Sequence, residues 1–176
     1  GAQYPCPEKP SRITALLGAV DRLGLVTTAP TDQGIDPIRK VHPDRYLTFL
    51  ENIYTRWSRI AEASAEVIPN IHPNSFSDGY PKSAVGQAGF HMTDTSCPIG
   101  AQTWAAAYAS AQSALGAADA VLAGDAVAYA LCRPPGHHAF AERAGGFCYL
   151  NNSAIAAERL RERHARVAVL DVDLHH

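Results

Sequence analysis

The sequence predicts an α/β protein built around a mostly parallel sheet, and three observations carry that expectation. Residues 126–131 (AVAYAL) and 166–172 (RVAVLDV) are short, largely apolar runs of strand length. A helical stretch from Asn152 to about Arg163 lies between them. Each run ends in a cluster of polar, chemically capable residues, where a hairpin would show a tight turn. Strands that are apolar on both sides belong in a sheet covered on both faces, and a strand–helix–strand order makes such strands parallel.

The remaining elements follow in chain order. The first residues, through Pro10, are Pro-rich and irregular. Ser11 reads as the cap of a first helix, in which Ile13, Leu16, Leu17, Val20 and Leu23 share a face and Gly24 is a natural stop. A loop with Pro30, Gly34 and Pro37 comes next. Pro43 stands where a first-turn proline is tolerated. Tyr46, Leu47, Leu50, Ile53, Tyr54 and Trp57 then recur at three and four, which predicts a second amphipathic helix. Periodicity is lost across 69–100, where Pro69, Pro73, Gly79, Pro81, Gly86, Gly89, Pro98 and Gly100 predict a long irregular loop, either functional or disordered. Trp104–Leu122 reads as an alanine-rich helix whose small residues suit close packing on a sheet. Its apolar stripe is Trp104, Tyr108, Ala111, Leu115 and Leu122.

Composition narrows the function. With 47% hydrophobic and 18% charged residues, the chain has ordinary globular character and is read as one domain or part of one. A net charge of −2 without a basic block argues against nucleic-acid binding. No apolar run approaches the ~18 residues of a membrane span, and no secretory leader is read. Cys6, Cys97, Cys132 and Cys148 form no Cys-x-x-Cys pair, so reduced, mostly buried thiols in a cytoplasmic protein are expected.

Ligands of open parallel sheets bind beyond the carboxyl ends of the strands. The first run leads into Arg133-Pro134-Pro135-Gly136-His137-His138, and the second into Asp171-Val172-Asp173-Leu174-His175-His176. Residues two apart on an extended chain share a side, so Asp171, Asp173 and His175 can face one point. A carboxylate and a neutral imidazole are ordinary zinc ligands, and a catalytic zinc takes three protein ligands with one open position. Imidazoles as a class can take up and return a proton near neutral pH, which transfer to and from a leaving amine needs; His137 and His138 supply two side by side, and Asp171 is the carboxylate available to orient one ring. Singly, these features have plainer readings. A His-His pair is often a loop feature, and Asp-x-Asp is often a helix cap or a magnesium site. Gly145-Gly146-Phe147 also reads as a turn followed by a core aromatic. Together, the two clusters favour the metal-hydrolase reading.

RPPGHHAFAERAGGFCYLNNSAIAA followed by VAVLDVDLHH resembles the histone deacetylase and acetylpolyamine amidohydrolase superfamily, and is most similar to its bacterial acetylpolyamine and class II branches. The likeness extends to the segment from Lys40 to Leu50 and to the GQAGFHMTDTSCPIG and TWAAA stretches. It implies a three-layer α/β/α arginase-deacetylase fold with a mostly parallel sheet, incomplete here. Residues 1–176 would be the N-terminal portion of one deacetylase domain, with an insertion at about 69–100 that pairs two subunits into a homodimer.

The resemblance also implies roles. Asp173 and His175 would bind zinc, with ferrous iron as the alternative metal, and nearby backbone carbonyls would contribute to a structural potassium site. His138 would be the general base and acid, and His137 its electrostatic partner held by Asp171. Gly146 and Phe147 would line the substrate tunnel. The family's third ligand (an aspartate) and its catalytic tyrosine are expected beyond His176, so this stretch by itself is expected to be inactive. The implied activity is release of acetate from small acetylated amines, acetylpolyamines above all. Where the family pattern has an acidic residue before Gly86-Gln87, this chain has Val85. Asp94, and after it Asp78, are the acidic candidates for attracting a cationic substrate. A broader class II-type deacylase and a non-catalytic deacetylase-like binding protein are the alternatives. The His137-His138 pair argues against an arginase-type dimanganese hydrolase.

Overall fold

The computed structural model describes residues 8–73 and 79–175. Cys6, Asp78 and His176 lie outside them. The elements in order are α1 (Pro10–Arg22), α2 (Asp36–Arg39), α3 (Asp44–Trp57), α4 (Ala84–His91), α5 (Thr103–Ala123) and α6 (Asn152–Leu160).

Most of the predicted helices are present with shifted ends. α1 starts at Pro10, with Lys9 at the cap position, so Ser11 does not cap it. Proline fits there because a first-turn N–H has no helical partner to lose. Leu23 closes the helix, and Gly24 follows at φ +64°, a left-handed value suited to glycine. Pro43 sits one place before the first turn of α3, as its N-cap residue. α3 supplies Tyr46, Leu47, Phe49, Leu50, Ile53 and Trp57 to the core, all buried. α6 begins at Asn152 as expected and ends at Leu160, with its cap on the Asn151 side chain, which accepts from Ala154 N–H.

The irregular loop expected across 69–100 holds a helix. α4 is capped by Ser83, whose hydroxyl accepts from Gly86 N–H at 3.0 Å. Its short length and two glycines hide its periodicity, yet Ala84, Gln87, Ala88, Gly89 and His91 are buried. A Cβ on Gly89 would overlap the Ile71 carbonyl oxygen, so the missing side chain is what lets the 71–72 backbone lie on α4. The His72 ring meets Gly89 O at 3.1 Å along the same contact. Val67 and Ile99 bridge in antiparallel fashion, closing the base of this segment.

The core joins α3, α4 and α5 through Ile53, Ala88, Met92, Ala107, Ala111 and Leu115, with Leu150 and Ile155 from the α6 region. α5 packs on α6, α3 on α4, and α2 on α6. Ala111, Ala114 and Ala118 are buried on α5, whose small residues here face α6 in place of the expected sheet.

The two apolar runs depart from expectation. Neither 126–131 nor 166–172 forms a strand ladder among the described residues, and neither is buried. Val127 is 81% exposed and Leu170 86%. The physical reason is the lack of a neighbour. A strand exists by pairing its backbone groups, and among the described residues nothing lies alongside either run to pair with. A cleft of about 680 Å³ runs between the two, floored by Ala114, Ala118 and Val121 of α5 and Ala156 of α6.

Replacing Gly89 by Ala is expected to lower thermal stability by about 2 kcal/mol or more, because the clash is with backbone that cannot swing away. Gly18→Ala on α1 meets only the tip of Arg22 at 3.6 Å. That change should be neutral or stabilising by up to about 1 kcal/mol. Thermal denaturation of the two variants of the full-length protein against the parent checks the contrast.

Candidate active site

The site gathers where the first run ends, and a glycine positions it. A Cβ on Gly136 would stand 2.8 Å from Leu150 O and 3.0 Å from Asn152 Cβ, so glycine is needed to seat this turn against the start of α6. Ser110 of α5 donates to Pro134 O at 2.7 Å, and the buried Asn152 amide donates to Ser110 Oγ at 3.0 Å. The chain before His137 is therefore fixed from two helices.

His137 Nδ1 lies 2.8 Å from Asp171 Oδ2. A carboxylate only accepts, so the ring donates through Nδ1 and leaves Nε2 for other use. The His138 ring lies against it, with centroids 4.1 Å apart. On its other side His138 packs on Gly146, where a Cβ would overlap the imidazole carbons. Gly146 adopts φ +52° and Phe147 φ +67°. A left-handed phenylalanine is strained, which is common where a side chain must be aimed. The structure thus brings together His137, His138, Asp171, Gly146 and Phe147.

Asp94 joins them by a different contact from the one sequence suggested. Its Oδ2 accepts from Gly146 N–H at 2.9 Å and its Oδ1 from Ser96 N–H at 2.7 Å. Its carboxylate ties the 93–96 segment to the Gly146–Phe147 turn.

Asp173 and His175 follow at the end of the second run. Asp171 Oδ1 accepts from Asp173 N–H at 3.0 Å, and Asp173 Oδ1 from His175 N–H at 2.8 Å. That second bond is the main reason the Asp173 carboxyl is held below the usual carboxylate range. Asp173 Oδ1 and His175 Nδ1 stand 3.5 Å apart, so two donors already converge. Carboxylate oxygen and imidazole nitrogen suit zinc, and the pair fits it as part of a ligand set. Among the described residues no third His, Cys, Asp or Glu completes a cluster.

Sequence reasoning missed two residues that build this site. His42 is fully buried, with Nδ1 2.8 Å from Ala141 O and Nε2 accepting Asn151 N–H at 2.9 Å. His91 is fully buried too, with Nδ1 2.7 Å from Glu142 O and Nε2 2.7 Å from Tyr80 Oη. Their signal was a histidine at a helix boundary amid apolar neighbours, which periodicity alone reads as a gap in the pattern.

Residues 6–176 match the family model described as the histone deacetylase domain. The chain belongs to that family. It is 51% identical to an acetylpolyamine amidohydrolase of Burkholderia pseudomallei strain 1710b, over 96% of this chain and 49% of that protein. It is 41% identical to acetylpolyamine amidohydrolase 2 of Pseudomonas aeruginosa, over 100% of this chain and 52% of that protein. A crystal structure of acetylpolyamine aminohydrolase from Burkholderia pseudomallei superposes with a TM-score of 0.92 at 50% identity, covering 99% of this chain and 50% of that one. The fold is thus that of the histone deacetylases, and the chain spans about half the length of the curated relatives it matches.

Burial pushes the pKa of both His42 and His91 below the usual imidazole value of 6.5. Around and below that value the unfolded chain binds more protons than the folded one, so these residues' stabilisation is complete above about pH 6.5 and falls as the pH drops. Urea midpoints measured from pH 8 to pH 5 should fall on the acid side, and less steeply in His42→Asn.

Proposed function

We propose that the protein is a zinc-dependent amidohydrolase that releases acetate from small N-acetylated amines, acetylpolyamines foremost. The observation that supports this most directly is the His137–Asp171 pair at 2.8 Å beside His138, with Asp173 and His175 on the same segment as Asp171. In this reading His138 would be the proton-transfer group, His137 its electrostatic partner, and Asp173 and His175 two metal ligands carried on the segment that holds Asp171. The relatives named acetylpolyamine amidohydrolases support the substrate class.

Asp173 and His175 would hold zinc, or ferrous iron in its place. The ion would supply a Lewis acid for the amide carbonyl and a lowered pKa for water. His138 takes a proton from the attacking water and returns it to the departing amine, giving acetate and a free amine. His137, oriented through Nδ1 by Asp171, stabilises the charge that His138 acquires. Gly146 leaves room for His138, and Phe147 offers its ring to the methylene chain of the substrate. Backbone carbonyls around Asp171, Asp173 and His175 would contribute to a potassium site. The 69–100 segment would pair two subunits.

A second reading, a broader deacylase, draws on a specific observation. Val85 occupies the expected acidic position and packs against the core, and the Asp94 carboxylate is bonded to two backbone N–H groups. Neither then provides an open acidic collar for a cationic substrate.

Acetate release by the metal-replete full-length protein separates the two. Chelator-sensitive preference for N-acetylputrescine over an acetyl-lysine peptide is expected, and the reverse preference selects the broader deacylase. No turnover of either substrate counts against both. His138→Ala should lower kcat by about 10²–10⁴-fold with zinc still bound. Asp173→Ala should lose the metal, and stoichiometric zinc retained in that variant overturns its assignment as a ligand.

A further inference from the structure

Residues 139–145 link the His137–His138 pair to the Gly146–Phe147 turn. Two isolated bridges, Met92 to Ala144 and Gly145 to Cys148, are the β pairings this stretch makes among the described residues. Its backbone groups are taken up instead by two buried imidazoles that belong to neither cluster of site residues. His42 lies just before α3, and His91 is the last residue of α4.

The partners fix the His42 ring in one form, and that form also suits the partners of His91. A carbonyl oxygen only accepts, so Nδ1 of His42 must carry the hydrogen toward Ala141 O. An amide N–H only donates, so Nε2 must offer its lone pair to Asn151. His91 has the same arrangement, its Nδ1 donating to Glu142 O and its Nε2 accepting from the Tyr80 hydroxyl. A neutral imidazole presents one donor and one acceptor on different edges of a rigid ring, which is what both positions require.

The two rings lead to different ends of the loop. From His42 the path runs through Asn151, whose side-chain amide donates to Ala139 O at 2.9 Å, next to His138. From His91 it runs through its own carbonyl, which accepts Ala144 N–H at 2.7 Å, and through Thr93, whose N–H donates to Ala144 O at 2.9 Å. Asp94 then holds Gly146 N–H. We infer that His42 and His91 are positioning residues that divide the loop between them: His42 sets the proton-transfer end at His138, and His91 sets the substrate-wall end at Gly146 and Phe147. The inference rests on the deacetylase reading above, because it assigns each end a kinetic role.

The test is steady-state acetate release from N-acetylputrescine by the full-length, metal-replete protein, with kcat and KM resolved. His42→Ala should lower kcat about tenfold or more while KM moves less than about twofold, since a small misplacement of a catalytic group acts on the chemical step. His42→Gln, whose Oε1 reaches as far as Nε2, should restore most of the loss. His91→Ala should raise KM and leave kcat nearly unchanged, and His91→Asn, whose amide replaces Nδ1 as donor, should restore it. Equal movement of both parameters in both alanine variants, or no rescue by Gln and Asn, overturns the division. If the alanine variants do not fold, His42→Asn and His91→Gln, which break the remaining bond of each ring, take their place.

Imidazole ¹⁵N shifts of the unsubstituted protein give a second readout that does not depend on turnover. Both rings should be neutral and hydrogenated at Nδ1 near pH 7, and an Nε2–H form of either sinks the clamp. A protein that turns over no acetylated amine while showing both Nδ1–H rings refutes the deacetylase reading and the kinetic roles, and keeps the clamp.

Discussion

Buried backbone must find hydrogen-bond partners, and the stretch from Gly136 to Asn151 has to do so almost without a sheet. It carries the histidine pair and the Gly146–Phe147 turn. Several of its N–H and C=O groups end on side chains from elsewhere, His42 on Ala141, His91 on Glu142 and Asp94 on Gly146, while Ser110 and Asn152 hold Pro134 just before it. A hydrogen bond nets about 1 kcal/mol when made, but a buried group left without a partner costs about 1–3 kcal/mol. The geometry of the site is therefore set less by any one strong contact than by the requirement that none of these groups be orphaned.

Glycines complete that arrangement by absence. Gly136 lets the turn meet the backbone before α6, and Gly146 lets His138 rest on the opposite wall. Two imidazoles with centroids 4.1 Å apart are thereby gripped from both sides, one by a carboxylate and one by a glycine surface. Such confinement suits the proton-transfer role proposed for His138, because the geometry is set before a substrate arrives.

Much of this was legible in the sequence, and the illegible part has physical reasons. α3 and α5 announced themselves because long apolar stripes at helical spacing have few other uses. The histidine pair, Asp171, Asp173, His175 and the Gly-Phe turn were legible as motifs, since few structures require those residue types at that spacing. α4 was hidden because eight residues rich in Gly and Ala show little amphipathic contrast. Residues 126–131 and 166–172 have the apolar composition of buried strands yet lie exposed, because these runs meet no neighbouring strand among the described residues. His42 and His91 escaped because their role depends on carbonyls about a hundred and about fifty residues away in sequence, at Ala141 and Glu142.

Phe147 shows what such a site asks of its sequence. At φ +67° the backbone there would be eased by glycine or asparagine, yet the position holds a large aromatic ring. Selection for stability alone would push residue 147 toward the smaller side chains, at a gain of about 1 kcal/mol. On the proposed role of Phe147, folding favours a smaller residue here and only contact with substrate favours the aromatic ring. On the substrate-wall role proposed for Phe147, the conformational tension at this one residue is the cost that folding bears for that role.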